Sequence, residues 1–379
     1  MRILHISDCY LPRLGGIEVQ VADLVAMQTR AGHEVEVATA TPGEAIAGVH
    51  RIVARMPFDL PVHPFGVGHL LRLMAERRPD VVHVHAGAVS PFAWMGARAA
   101  ARLGLPLVVT VHSMWDPVTR AVYRALREGY GWRSWGLVGT AVSEAAARPI
   151  RRIAGRGVPV RVVSNGLDIS GWRPSGDPRR APADEPVHVV AVGRLAPRKQ
   201  PVRLLRMLRA AGGRARLRVT IVGDGPARAS MERYLGRHGM TGWVSMPGRY
   251  DRERIRALLG EADVFVAPAP RESFGLAALE ARSAGVPVVA RSQSGVADFV
   301  RPGKEGLLGR SFGELVAALV RLARDRELRE RIALHNRDTE PVSCTWPAVL
   351  EGFDACYDLA RSRAAGRAGR RRQGRRSTT

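Results

Sequence analysis

Glu272 and Glu280 stand either side of Ser273-Phe274-Gly275, where a strand-like run ending at Ala267 gives way, through a proline-rich turn, to a helix. Eight residues are roughly two helical turns, so both carboxylates can face one cleft. A carboxylate can accept both O–H groups of a sugar diol, and the free amides of a helix start can meet a phosphate. The flanks Leu276, Ala277, Ala278, Leu279 and Ala281 are apolar. They would leave Glu280 half-buried without a ligand, which argues against a plain surface salt-bridge helix.

A second candidate follows the strand-like run Val187–Val192 and reads Gly193-Arg194-Leu195-Ala196-Pro197-Arg198-Lys199. Open α/β sheets bind ligands beyond the carboxyl ends of their strands. A guanidinium fork and an ammonium there suit a diphosphate. Lys199 is one of only two lysines, with Lys304, among 58 basic residues, so drift toward arginine accounts poorly for it. A solvated helix start is the plainer alternative. The third candidate is Leu14-Gly15-Gly16-Ile17, directly after the first strand-like run. Paired glycines admit a close ligand, and the following helix start attracts an anion. The spacing is neither that of a dinucleotide fold nor that of a P-loop, and a tight strand-to-helix turn explains it equally well.

The elements that must hold these sites alternate. Arg2–Ser7, Glu34–Thr39, Val81–His85, Leu107–Val111, Leu137–Val142 and Val160–Val163 are strand-like, with helical periodicity between most of them, as in Ile17–Ala31. A second series comprises Val187–Val192, Leu217–Val222, Trp243–Met246, Val264–Ala267 and Val286–Ala290. Strands separated by helices imply right-handed crossovers and parallel sheets. Gly171–Pro186, with its prolines and glycines, reads as a linker. The chain therefore divides into an amino-terminal domain over 1–170 and a second over 187–346, joined by 171–186. Phe312–Asn336 is predicted helical. Pro347–Ala360 is predicted as a last helix with Val349, Leu350, Phe353, Cys356, Tyr357 and Ala360 on one face. The basic stretch 361–379 is predicted to be disordered.

Together these segments resemble the retaining glycosyltransferases of the two-Rossmann-domain (GT-B) class, in the family known as group 1 or family 4. The resemblance covers roughly residues 1–360. It rests on the Gly15-Gly16 loop, Val109-Thr110-Val111-His112, Ser164-Asn165-Gly166-Leu167-Asp168, Gly193-Arg194-Leu195 with Lys199, Ile221-Val222-Gly223-Asp224-Gly225-Pro226, and Glu272 to Glu280 followed by Ala281-Arg282-Ser283-Ala284-Gly285-Val286-Pro287. Each is weak alone; their order and spacing are specific. The resemblance implies an α/β fold of two doubly wound domains facing a central cleft, with the last helix crossing back to the first domain.

By the same resemblance, Arg194 and Lys199 grip a donor diphosphate, Glu280 binds ribose hydroxyls and Glu272 touches hydroxyls of the donor sugar. Amides of Gly16, Phe274, Gly275 and Leu276 approach the phosphates and sugar, Gly223 lies in the donor-binding set, and Arg249 and Tyr250 fall where the base is lodged. His112 lies beside the donor sugar near the reacting carbon. The implied reaction is hexosyl transfer from a nucleoside-diphosphate sugar, GDP-mannose or a UDP-sugar, to a hydroxyl acceptor with retained configuration. Such an acceptor could be an envelope lipid or a glycan. There is no Asp-X-Asp, so no metal and no cofactor are expected; the two cations take the metal's place. Glu272 is read as positioning, not as a covalent nucleophile.

On position alone His112 also reads as a core-edge histidine at a strand end. His83 and His85, which carry no motif, read as packing or cleft-lining residues. Asp298 follows Ser294-Gly295-Val296-Ala297, where many relatives have a glycine pair and Pro-Glu. Two regions, 55–78 and 113–135, mix arginines with Phe58, Phe65, Leu70, Met74, Trp115, Trp132 and Trp135. Such segments can rest on an anionic membrane or bind a lipid acceptor; equally, they read as amphipathic helices packed on a sheet.

The 379 residues carry a formal charge of +23, and 56 of the 58 basic residues are arginine. Eight of these lie in 361–379, which holds no acid. The remaining excess is diffuse. It raises a nucleic-acid-binding reading, but no recognition motif accompanies it, and no specific nucleic acid is expected. A sugar-nucleotide epimerase of the same fold is the other alternative. Cys9, Cys344 and Cys356 are too scattered for a disulfide framework or metal site. With no signal-peptide pattern and no long apolar run, the expected location is the cytoplasm, with peripheral contact at the inner face of the membrane open to it.

Overall fold

A computed structural model describes residues 1–13, 15–54, 63–173 and 184–376, with side chains through 369. Leu14, residues 55–62 with Phe58, and most of the expected linker lie outside the described residues. The chain forms two compact units, Met1–Gly166 with Trp346–Thr379, and Leu167–Thr345.

In the first unit the strands are β1 (Arg2–Ser7), β2 (Glu34–Thr39), β3 (Val49–Arg51), β4 (Val81–Ala86), β5 (Leu107–Val111), β6 (Val138–Ala141) and β7 (Val160–Val162). They form a parallel sheet in the order β3-β2-β1-β4-β5-β6-β7. Its helices are α1 (Gly16–Arg30), α2 (Gly66–Arg77), α3 (Pro91–Leu103), α4 (Pro117–Tyr130), α5 (Glu144–Ala154) and, after the second unit, α12 (Trp346–Arg376).

The period-two alternation of the strands sorts their side chains between the two faces. Leu4, Ile6, Val82, Val84, Leu107 and Val109 point into one core, shared with Leu70, Met74 and Phe92 of α2 and α3 and Ile150 of α5. Ile3, Val81, Val108 and Val138 point into the other, where Leu24 of α1 meets Val349, Phe353 and Tyr357 of α12. Both faces are thus covered, as a parallel sheet requires.

The second unit holds β8 (Val187–Val192), β9 (Leu217–Val222), β10 (Val244–Gly248), β11 (Val264–Ala267), β12 (Val288–Arg291) and β13 (Gly306–Gly309), parallel in the order β10-β9-β8-β11-β12-β13. Around it lie α6 (Pro201–Gly212), α7 (Arg228–Arg237), α8 (Arg252–Gly260), α9 (Leu276–Ser283), α10 (Phe312–Arg324) and α11 (Arg326–Asp338).

Several boundaries differ from the sequence expectation. The predicted helix 312–336 is two helices, because Asp325 leaves helical geometry and its carboxylate caps α11 by accepting from Leu328 N–H. The first boundary falls at 166/167, not 170/171. Leu167 N–H donates to Cys344 O at 2.9 Å, and Trp172 is buried, tying 167–173 to the second unit. The second falls at 345/346, because the Trp346 ring packs against Gly166, where a Cβ would come within 2.5 Å of it.

The tail expected to be disordered from 361 continues α12 as helix to Arg376. Ala364, Ala365 and Ala368 favour helix. Arg363 anchors it by donating to Gly136 O and Gly157 O, and Arg367 by donating to Trp135 O. The edge strands β3 and β13 escaped the sequence reading: one is three residues long and the other is bounded by glycines.

Candidate active site

In both sheets the strand order reverses beside the first strand, at β1/β4 and at β8/β11. Such switch points open a crevice beyond the strand carboxyl ends. At the second unit's switch point, the loop after β8 carries Arg194 and Lys199, and the loop after β11 carries Glu272. Lys199 Nζ donates to Glu272 Oε2 in a partly buried ion pair. A 3₁₀ turn over Pro197–Lys199 presents the lysine, followed by Gln200 in left-handed conformation at φ 53°. Arg194 is exposed and, among the described residues, its side chain has no partner.

The loops after β8 and β9 are zipped together. Gly193 N–H donates to Val222 O, Leu195 N–H to Asp224 O and Ala227 N–H to Leu195 O. A Cβ on Gly223 would stand 2.0 Å from Gly193 O, and its φ is 138°; only glycine fits. Beyond β10, Arg249 is exposed with its Nε 4.0 Å from Asp224, and Arg254 lies over the Tyr250 ring at 5.9 Å.

Gly275, at φ 95°, turns the chain into α9, whose first amides have no partner within the helix. Phe274 is buried against Phe299, with centroids 5.3 Å apart, and the Leu276 side chain is half-buried. The turn is clamped by Gly295, whose N–H donates to Glu272 O and whose missing Cβ would stand 2.1 Å from Ser273 O. Glu280 is 7% exposed, more deeply set than the sequence suggests.

Behind this site Glu305 is fully buried. It accepts from Arg301 N–H and side chain and from His335, with Arg282 3.6 Å away. Burial alone would raise its pKa; these donors hold it down at about 2. Asn336 beside it donates to Val286 O and Glu305 O. Sequence reading did not find this hub, because its members are spread from 282 to 336 with no motif spacing.

The first unit holds the other predicted residues. Gly16 is exposed at the start of α1. His112 follows β5, its N–H donating to Ala86 O and its Nε2 3.0 Å from His85 Nδ1. Burial lowers its pKa to about 4, so it is neutral at pH 7. Asp8, after β1, accepts from the Phe92 and Ala93 amides that open α3, and burial raises its pKa to about 7. The tryptophans of 113–135 serve mainly packing. Trp115 stacks on Tyr123 at 4.1 Å and Trp132 on Trp94 at 4.9 Å. Leu70 and Met74 of α2 are likewise buried.

The fold and this arrangement define a GT-B glycosyltransferase class of protein. Residues 14–170 match Glycosyltransferase Family 4, and residues 177–338 match Glycosyl transferases group 1. The chain is 31% identical to a GDP-mannose-dependent alpha-mannosyltransferase of Mycobacterium tuberculosis, over 96% of this chain and 98% of that one. It is 30% identical to a D-inositol 3-phosphate glycosyltransferase of Nocardia farcinica, over 91% and 85% respectively. Among solved structures it resembles sucrose-phosphate synthase from Thermosynechococcus elongatus, with TM-score 0.74, 20% identity and coverage of 94% of this chain and 98% of that one. Anabaena HepE in complex with UDP and glucose gives TM-score 0.73 at 20% identity, covering 94% and 98%. The chain belongs to the group 1 glycosyltransferase family and is a transferase. Among its described residues no helix is long and apolar enough to cross a membrane.

Proposed function

We propose that the chain is a retaining hexosyltransferase that moves a sugar from a nucleoside-diphosphate sugar to a hydroxyl acceptor without a metal. The observation that carries this reading is the meeting of Lys199 and Glu272 at the switch point of the second unit. Departure of the diphosphate builds negative charge. Lys199, the uncommitted Arg194 and the first amides of α9 are preorganised donors for that charge. Glu272, held beside the ammonium, accepts from donor-sugar hydroxyls. Glu280 accepts from the ribose diol, and Arg249 and Tyr250 flank the base. Gly16 and His112, at strand carboxyl ends of the first unit, serve the transferring sugar.

The mannosyltransferase relatives favour GDP-mannose as the first donor to try. A peripheral contact with an anionic membrane, carrying a lipid acceptor in the cytoplasm, is supported by α4. That helix exposes Val118, Val122 and Tyr130, and also carries the exposed Arg124.

The test is a thermal-shift panel of GDP-mannose, UDP-glucose and UDP-N-acetylglucosamine, followed by release of nucleoside diphosphate with and without EDTA. A donor at a hundred times its Kd adds about 2.7 kcal/mol to the stability of the folded state. Indifference to every nucleotide sugar overturns the reading, and loss of turnover in EDTA overturns its metal-free part.

A further inference from the structure

The alternation Val82-His83-Val84-His85-Ala86 in β4 sends its aliphatic side chains to one face and both imidazoles to the other, under α1 and α12. His5 of β1 lies on the same face. These three histidines are at most 2% exposed, and their ring nitrogens are all spoken for. His5 Nε2 meets Gln28 Oε1 at 2.7 Å, and His5 Nδ1 meets His85 Nε2 at 2.8 Å. His85 Nδ1 meets His112 Nε2 at 3.0 Å. On the other branch, Gln28 Nε2 donates to Tyr357 Oη at 2.7 Å. Tyr357 Oη lies 2.9 Å from His83 Nδ1, and His83 Nε2 lies 2.7 Å from Thr110 Oγ1.

A neutral imidazole has one donor and one acceptor, so the proton positions along this chain are not independent. Gln28 Oε1 can only accept, which puts the His5 proton on Nε2 and leaves His5 Nδ1 bare. His85 must then donate from Nε2 and accept at Nδ1, and His112 must donate from Nε2. Tyr357, accepting from Gln28, has its own proton free for His83 Nδ1, so His83 also carries its proton on Nε2. The single other arrangement that satisfies every atom reverses every bond and needs the Gln28 amide turned over. His112 Nδ1 has no hydrogen-bond partner among the described residues.

We propose that His85, His5, Gln28 and Tyr357 are positioning residues that lock His112 in the Nε2–H tautomer, presenting Nδ1 to substrate as a hydrogen-bond acceptor. This rests on the reading of His112 as a substrate-contacting residue. The wire itself stands independently of it. A hydroxyl of the sugar or acceptor is the group that such a nitrogen takes. Tyr357 makes the docking of α12 part of the same lock.

The test reads the tautomers directly, by long-range ¹H–¹⁵N correlation on the full chain labelled at histidine. At pH 7.5 all four histidines are expected in the Nε2–H form. His112 in the Nδ1–H form or averaging between forms, or a mixture of tautomers among the four, overturns the proposal. In Tyr357→Phe the His112 nitrogens are expected to move toward the averaged position; unchanged shifts also overturn it. For function, His85→Leu is expected to lower kcat tenfold or more with the donor Kd unchanged. His85→Asn, whose amide oxygen replaces Nδ1, is expected to recover most of that loss. If His85→Asn is no better than His85→Leu, the positioning role fails. If the tautomers are as expected but His112→Ala transfers sugar at the full rate, the wire survives and the substrate role of His112 fails.

Discussion

Lys199 and Glu272, 73 residues apart in sequence, join the loop after β8 to the loop after β11 through one charge-assisted hydrogen bond. The cation we propose for the donor diphosphate is thereby held by the carboxylate we propose for the donor sugar.

Removing that cation separates catalysis from stability. Lys199→Ala should lower kcat/KM for the nucleotide sugar by about a hundred- to a thousandfold, the cost of one preorganised donor at developing charge. The pair is partly exposed, so stability should change by about 1 kcal/mol at most. Steady-state kinetics beside a urea melt read both. Lys199→Arg should not restore the rate, because a planar fork does not replace a point charge.

Gly295→Ala should disturb the site without touching any charge. Its Cβ would stand 2.1 Å from Ser273 O and 2.7 Å from Phe274 Cα, both backbone atoms. The turn that carries Glu272 must move, at a cost of about 1–3 kcal/mol. Calorimetric titration should show donor affinity weakened at least tenfold; wild-type affinity would mean that the turn is not part of the donor site.

Acid should destabilise the first unit through its histidines. Burial lowers His5 to about 4, and burial with neighbouring imidazoles lowers His83 and His85 well below 6.5. These groups are neutral when folded and take up protons when unfolded below pH 6.5. Their contribution is fully present above pH 6.5 and is lost as pH falls toward 4. Each costs about 1.4 kcal/mol per pH unit in that window. Urea midpoints measured between pH 4.5 and 7.5 should therefore fall steeply, and less steeply in His83→Gln.

The second unit should lose stability when a buried negative charge is removed. Glu305→Gln leaves the buried Arg282 without its anion and should cost about 3–5 kcal/mol at pH 7. Because Glu305 is held down at about 2, its contribution is fully present above the ordinary carboxylate range and is lost progressively as pH falls from there through about 2. A melt at pH 7 comparing wild type with Glu305→Gln checks the size.

Much of this was legible in the sequence for identifiable reasons. Short runs rich in aliphatic and β-branched residues, each followed by a turn or a helical pattern, mark these strands, so Arg2–Ser7, Glu34–Thr39, Leu107–Val111, Val187–Val192, Leu217–Val222 and Val264–Ala267 could be read to the residue. The placing of Arg194, Lys199 and Glu272 in loops at strand ends was legible because such a loop must keep its glycines and charges in close order. The zipping of Gly223 onto Gly193 is the physical reason for those glycines. Gly295 and Glu305 were not legible, since their partners come from other loops and the contact exists only after folding. The histidine wire was half legible. His83 and His85 read only as packing or cleft-lining residues at a strand end; the strand that sets them on one face was legible, but nothing local showed that Gln28 and Tyr357 would meet them there. The tail was misread because composition suggested disorder, whereas Arg363 and Arg367 find backbone carbonyls to hold.

The return of the chain for α12 has a consequence for the order of synthesis. Val349, Phe353 and Tyr357 cover β4, β5 and β6, yet they are made after every residue of the second unit. A ribosome that has released residues 1–166 has released a sheet with its α12 face still bare. The second unit is complete by residue 345 and can close first, while the older half waits for the newest helix. Until then Val81, Val108 and Val138 face water or a chaperone, and the aggregation hazard of this protein lies in that interval.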